Sequence, residues 1–176
     1  GLEIRFDLRW GFGTYNYGHD ADEIRGKEKG LYKYTFHAPD EWKGQHVEIV
    51  FEGSMTDTEV RINGDPAGPV HQGAFYRFSH DISKLVNYGQ ENLLEVTVSK
   101  HSSNESVNDA ERRADYWIFG GIFRPVYLEV SPPEHIEHLA LDPKADGSLL
   151  AEIYIHKSRR ADAIRVQLLD ELKASI

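Results

Sequence analysis

Tyr32-Lys33-Tyr34-Thr35-Phe36 sets an aromatic ring at every second position with a polar side chain between each pair. Successive side chains of a β-strand point to opposite faces, so this run reads as a strand with one face on a core and the other in water. A helix would scatter the same three rings around its circumference. Working outward, the period returns in Leu2, Ile4, Phe6 and Leu8, in Val47, Ile49 and Phe51, in Val60 and Ile62, and in Leu94, Val96 and Val98, with another strand expected over Phe75 to Phe78. Asn63-Gly64 offers the positive φ angles of a tight hairpin, and Pro39, Gly44, Gly53 and Gly89 mark other strand ends. Asp81 to Leu85 suits one helical turn capped by Asp81 or Ser83, and no long helix is expected. Short strands separated by turn residues predict an all-β sandwich.

The chain is long enough, at 176 residues, to bury a full core. Its hydrophobic share of 40% and charged share of 28% are those of a globular protein, not of a disordered or membrane-spanning one. The formal net charge of −9 argues against nucleic acid, whose binding requires clustered Lys and Arg against phosphates. The absence of cysteine excludes disulfides and thiolate chemistry and fits either redox compartment. No apolar run reaches the ~20 residues of a membrane-spanning helix. A start at Gly1 reads as a processed or excised product.

Pro132-Pro133 is the expected domain boundary, because prolines cannot join a central strand ladder. Residues 1–131 then form the first domain and 132–176 the start of a second. Strands are expected over Ile136 to Leu141, Leu149 to Ile155 and Ile164 to Leu169, with a turn at Asp146-Gly147. An immunoglobulin-like sandwich needs ~100 residues, so the expectation is a truncated second domain with an apolar face open to self-association. Two long polar stretches, Gly11 to Gly30 and His101 to Arg113, read as loops of the kind that carry binding on a rigid sandwich.

Leu31 to Val130 resembles the N-terminal sugar-binding domain of the family 2 glycoside hydrolases, which include β-galactosidases, β-glucuronidases and β-mannosidases. The match is an ordered set: the aromatic strand with Pro39, Trp42 and Gly44; Phe51-Glu52-Gly53; Val60-Arg61-Ile62-Asn63-Gly64 with Gly68; Gly73 to Phe78 with Asp81-Ile82; and Gly89-Gln90-Glu91-Asn92-Leu93-Leu94-Glu95-Val96. Its most specific part is Ala114-Asp115-Tyr116-Trp117-Ile118-Phe119-Gly120-Gly121-Ile122-Phe123-Arg124-Pro125-Val126-Tyr127-Leu128. The resemblance implies a jelly-roll fold of the galactose-binding-domain kind, then an immunoglobulin-like domain and a catalytic barrel further on. It also favours a periplasmic or extracellular setting. Two departures stand out: no Pro-His pair precedes the first aromatic strand, and Gly73-Ala74-Phe75 replaces the common Gly-Gly-Tyr.

The resemblance makes Asp115 the leading substrate-binding candidate, as the acidic residue that reaches towards the barrel and accepts hydrogen bonds from sugar hydroxyls. A carboxylate can accept from two adjacent hydroxyls at once; capping local backbone N–H groups is the plainer alternative. Trp117 can stack on a pyranose face or pack in the core. Arg124 is expected to hold its loop, and Arg112 and Arg113 either meet an acidic sugar or form a solvated face. Trp10 and Trp42 read as packing residues. His135 and His138, an odd number of residues apart on a strand, should face opposite ways and hold no metal. Asp20, Asp22 and Glu23 lack an EF-hand pattern, and Asn104-Glu105-Ser106 is a sequon of the sort that arises by chance.

No catalytic residue and no cofactor is expected in this chain. The two carboxylates of a retaining glycosidase, ~5 to 5.5 Å apart, belong by resemblance to the barrel. The reading is a non-catalytic β-sandwich that lends a loop to the pocket of a β-glycosidase, β-galactosidase-like by preference. Its expected partners are a carbohydrate and the barrel of the same chain, with no membrane. An autonomous carbohydrate-binding module and a structural spacer are the alternatives.

Overall fold

The aromatic run forms the strand it predicts, and the ladder beside it explains why. The computed structural model describes residues 2–4 (backbone only), 29–112, 120–157, 163–167 and 169. The chain divides into two units, Gly1–Val130 and Ser131–Ile176.

Among the described residues, the first unit holds two four-stranded sheets. One has the order β1-β10-β3-β7, from Leu2–Ile4 (β1), Val126–Ser131 (β10), His46–Phe51 (β3) and Phe78–Asp81 (β7). The other has the order β2-β8-β5-β6, from Lys29–Ala38 (β2), Gln90–Ser99 (β8), Asp57–Ile62 (β5) and Asp65–Pro66 (β6). β8 lies between β2 and β5 and pairs antiparallel with both, from Lys29↔Ser99 to Ala38↔Gln90 and from Asp57↔Ser99 to Ile62↔Leu94. Alternation places Leu94, Val96 and Val98 of β8 inward with Val60 and Ile62 of β5, against Val47, Ile49, Phe51, Val126 and Leu128 of the other sheet. Each such side chain, removed fully from water, contributes roughly 1.5 to 3 kcal/mol. Trp42 packs against this core from a short 3-10 turn, Asp40–Trp42.

The hairpin joining β5 to β6 turns at Asn63 (φ 54°) and Gly64 (φ 90°), as the Asn-Gly pair predicts. Asn63 also looks inward: its Oδ1 accepts from Leu93 N at 2.9 Å, and its Nδ2 donates to Leu85 O and to Asn92 Oδ1. Asn92 is 1% exposed and fully employed, accepting a second bond from Asn87 N and donating to the carbonyls of Asn87 and Gln90. Asp81 accepts from Ser83 N at the head of the expected single turn, which closes with Leu85 N donating to Ile82 O.

Two expectations for this unit are corrected. The strand over Phe75 to Phe78 begins only at Phe78, because side chains rather than a ladder hold the backbone before it: Ala74 N donates to Glu111 and Phe75 O accepts from Arg124. The polar stretch His101 to Arg113 is not all loop, since Glu105–Arg112 forms an α-helix (α1). Asn104 caps it, its Oδ1 accepting from Ser106 N at 3.1 Å and from the Ser106 hydroxyl. With no buried residue, α1 carries no apolar period by which to be found.

Among the described residues, the second unit holds one antiparallel strand pair, His135–Pro143 (β11) with Leu149–His156 (β12), turned at Asp146-Gly147, where Asp146 accepts from Ser148 N. A bulge between Ile136 and His138 resets the alternation, so His135 pairs with His156 and His138 with Tyr154 on the same face. The expectation of opposite faces fails for that reason. The rings stack in pairs, His135 on His156 and His138 on Tyr154. The other face is apolar: Leu139 and Leu141 pair with Ile153 and Ala151, and Leu139 and Leu141 stand 52% and 59% exposed. Of the third expected strand, Ile164 to Leu169, residues 164–167 lie in no strand and Leu169 forms an isolated bridge.

Asn92→Ala is expected to cost about 3 kcal/mol, since it leaves several buried polar groups of the turn without partners. Urea unfolding of the purified chain measures it, and a loss under about 1 kcal/mol would show the network to be ornamental.

Candidate functional site

Asp115, Trp117 and Arg113 lie outside the described residues, as do Trp10, Asp20, Asp22, Glu23 and most of the Gly11 to Gly30 stretch. The chain that leads into and out of residues 113–119 is described, and both of its limbs are tied to one short stretch, Glu52 to Thr58.

Asp57 is the centre of the incoming limb. It is 8% exposed, and four donors meet its carboxylate: the Ser102 hydroxyl on Oδ1 at 2.6 Å, and Ser103 N (2.7 Å), the Ser103 hydroxyl (2.9 Å) and Gln72 Nε2 (3.3 Å) on Oδ2. Burial pushes its pKa up, but the bonds from Ser102, Ser103 and Gln72 outweigh that and hold it below the ordinary 3.8. The neighbouring Thr56 donates from its N–H to Ser99 O at 2.6 Å and from its hydroxyl to Lys100 O at 3.0 Å. Ser54 and Thr58 share a buried hydroxyl–hydroxyl bond. Ser102 and Asn108 bond reciprocally, Ser102 N to Oδ1 and Nδ2 to Ser102 O, which docks α1 on the same turn. At the far end of α1, Arg112 Nη1 donates to Lys100 O at 2.8 Å and Glu111 accepts from Ala74 N. Arg112 therefore secures backbone, which neither of its expected roles describes.

The outgoing limb begins with Gly121–Ile122 (β9), which pairs antiparallel with Ser54–Met55 (β4) in the register Ser54↔Ile122 and Met55↔Gly121. Gly121 has φ 77°, and the Tyr32 hydroxyl occupies the space a Cβ would take. Ile122 N donates to that hydroxyl at 3.3 Å. Arg124 Nη1 donates to Phe75 O at 2.9 Å and Glu52 O at 3.3 Å, a loop-holding role. Tyr127 donates its hydroxyl to Glu52 Oε1 at 2.7 Å; that bond, with burial, raises the phenol pKa, although Arg77 pulls the other way.

Beside Asp57 lies a groove of about 490 Å³, lined by Lys29, Glu59, Val70, Gln72, Thr97 and Ser103 among others. Thr58 exchanges backbone bonds with His71, whose ring stacks on Phe78 at 3.7 Å; Phe78 stacks in turn on Phe51 and meets the edge of His80. Burial holds both imidazoles below their ordinary 6.5, and for His71 the charge of His80 adds to it. Among the described residues no group of three or more His, Cys, Asp or Glu is arranged to hold a metal ion.

A two-sheet sandwich with this anchored excursion has relatives. Residues 12–132 match the family model described as "Glycosyl hydrolases family 2, sugar binding domain". The chain belongs to that family. A β-galactosidase of Thermoanaerobacter pseudethanolicus is 34% identical over 127 residues, 70% of this chain and 17% of the relative. A β-glucuronidase of Bacteroides fragilis is 29% identical over 139 residues, 79% of this chain and 19% of the relative. The crystal structure of Ruminococcus gnavus β-glucuronidase with uronic deoxynojirimycin superposes with a TM-score of 0.69 at 21% identity, over 92% of this chain and 30% of that one. This sugar-binding domain thus spans less than a third of the length of these relatives.

Stability of the domain should fall with acid in two steps. His71 and His80, held neutral, contribute fully above 6.5 and less as pH drops below it, because the unfolded chain then takes up protons the folded one refuses. Asp57, held ionised, contributes fully above 3.8 and loses that contribution as pH falls through its lowered folded-state pKa. Melting temperatures measured from neutral pH into the acid range check this: His71→Gln and His80→Gln should flatten the first decline and Asp57→Asn the second. A curve already flat across the imidazole range contradicts the histidine part.

Proposed function

We propose that this chain is the non-catalytic sugar-binding domain of a larger retaining β-glycosidase, β-galactosidase-like in substrate, and that Asp115 accepts hydrogen bonds from substrate hydroxyls at the edge of a catalytic barrel. One observation carries the reading: the excursion bearing Asp115 is fixed at both ends to the sandwich, by Asp57 and Thr56 on one side and by Ser54, Met55 and Tyr32 on the other. A rigid platform under a loop is the arrangement by which a fold presents a binding residue without adapting its core. Trp117 is the weaker companion, offering its ring to a sugar face. The barrel of the same protein supplies both catalytic carboxylates, and the domain alone hydrolyses nothing. Its net charge of −9 suits a neutral glycoside rather than nucleic acid.

A charged hydrogen bond contributes ~1.5 to 3 kcal/mol, so Asp115→Ala in the full-length enzyme should lower kcat/KM by about ten- to a hundred-fold while the melting temperature holds. Parallel assays on a β-galactoside and a β-glucuronide identify the sugar; unchanged kinetics on both refute the role of Asp115.

The groove beside Asp57 favours a second reading, a self-sufficient binding module. Calorimetry of the 176-residue chain with mono- and oligosaccharides separates the two. Binding no tighter than about millimolar fits a domain that completes its site with a barrel, and micromolar binding fits a module, since a preformed site binds unaided. The apolar face with Leu139 and Leu141 gives this chain a surface for self-association. Sedimentation should show a concentration-dependent dimer that Leu139→Lys abolishes; a monomer at all concentrations disproves it.

A further inference from the structure

The backbone from Lys100 to Asn104 leaves the β8 ladder and still finds a partner at nearly every step. Lys100 O accepts from Thr56 and Arg112; Ser102 N is taken by Asn108; Ser103 N and both serine hydroxyls are taken by Asp57. Asn104 then caps α1, drawing on the Ser102 hydroxyl for its own N–H at 3.0 Å. Asp57 therefore sets the turn from which α1 starts, and Asp115 follows Arg112, the last residue of α1, by three positions. The outgoing limb takes its register from the same stretch, Ser54 and Met55, three and two residues before Asp57. Both ends of the excursion are thus referred to one four-residue segment of the sandwich.

We infer that Asp57 is a positioning residue for substrate binding: its carboxylate, occupied by Ser102, Ser103 and Gln72, fixes the turn and helix from which the chain runs on to Asp115. This rests on the reading of Asp115 as a substrate contact. The chemistry demands a carboxylate. All four partners are donors, and an amide of the same shape presents its NH2 to one set of them, so that N–H faces N–H or a hydroxyl must turn away. Holding a contact group within a fraction of an ångström of its productive place is what such supporting bonds do, and a small misplacement is felt in binding.

The test is a double-mutant cycle in the full-length enzyme: Asp57→Asn, Asp115→Ala and the two together, with kcat, KM and melting temperature measured for each. Asp57→Asn is expected to raise KM by about ten-fold with a smaller change in kcat, and to add almost nothing once Asp115 is gone. A defect that is merely structural would persist in full beside Asp115→Ala, and that result overturns the inference. So does a folded Asp57→Asn enzyme with unchanged kinetics beside an impaired Asp115→Ala enzyme. Should Asp57→Asn not fold, Ser103→Ala decides: exposed and removing one donor, it should raise KM by about two- to three-fold, and no change overturns the inference. Unchanged kinetics in Asp115→Ala itself defeats the substrate reading and this inference together, a pattern distinct from the others.

Discussion

The arrangement around the candidate site depends on one carboxylate kept charged away from water. A buried carboxylate is unfavourable by several kcal/mol unless its lone pairs are met, and four donors meet those of Asp57. The donors come from sequence positions far from it, so the bonds do more than solvate a charge: they sew the residues after β8 to the first residue of β5. Remove the carboxylate and Ser102, Ser103 and Gln72 lose a common acceptor at once.

The sandwich makes such a tie possible because β8 is a central strand. Its neighbours β2 and β5 lock it in register on both sides, and its inward Leu94, Val96 and Val98 are committed to the core. A chain leaving a strand held so firmly starts from a fixed point. The short β4–β9 pair does the same for the returning chain. The sandwich thus fixes both the point where the chain departs before residue 113 and the point where it is received after residue 119.

Much of this was legible in the residues. The strands β2, β3, β5, β8, β11 and β12 follow from period-two alternation, and the hairpin at Asn63-Gly64 and the turn at Asp146-Gly147 follow from φ preferences, all properties of neighbours in sequence. The ordered motifs from Tyr32 to Leu128 placed the chain in its family. Legibility stopped where contacts became distant. Asp57 looked like any polar residue opening a strand; only Ser102 and Ser103, some 45 positions on, make it an anchor. α1 has no fully buried residue, and the face it turns inward is polar apart from Val107, so its signal was confined to the Asn104 cap.

Sequence by itself determined the all-β class, the core-facing residues, the main turns and the family, because each depends on local periodicity, backbone preference or motif order. Tertiary structure alone decided that Phe75 lies outside β7, that a bulge turns His135 and His138 to one face, and that Arg112 and Arg124 spend their guanidinium groups on backbone carbonyls. It also decided that Asp57 gathers its donors. These outcomes depend on which backbone groups are left unpaired once the sheets have formed, and that is known only when distant segments have met.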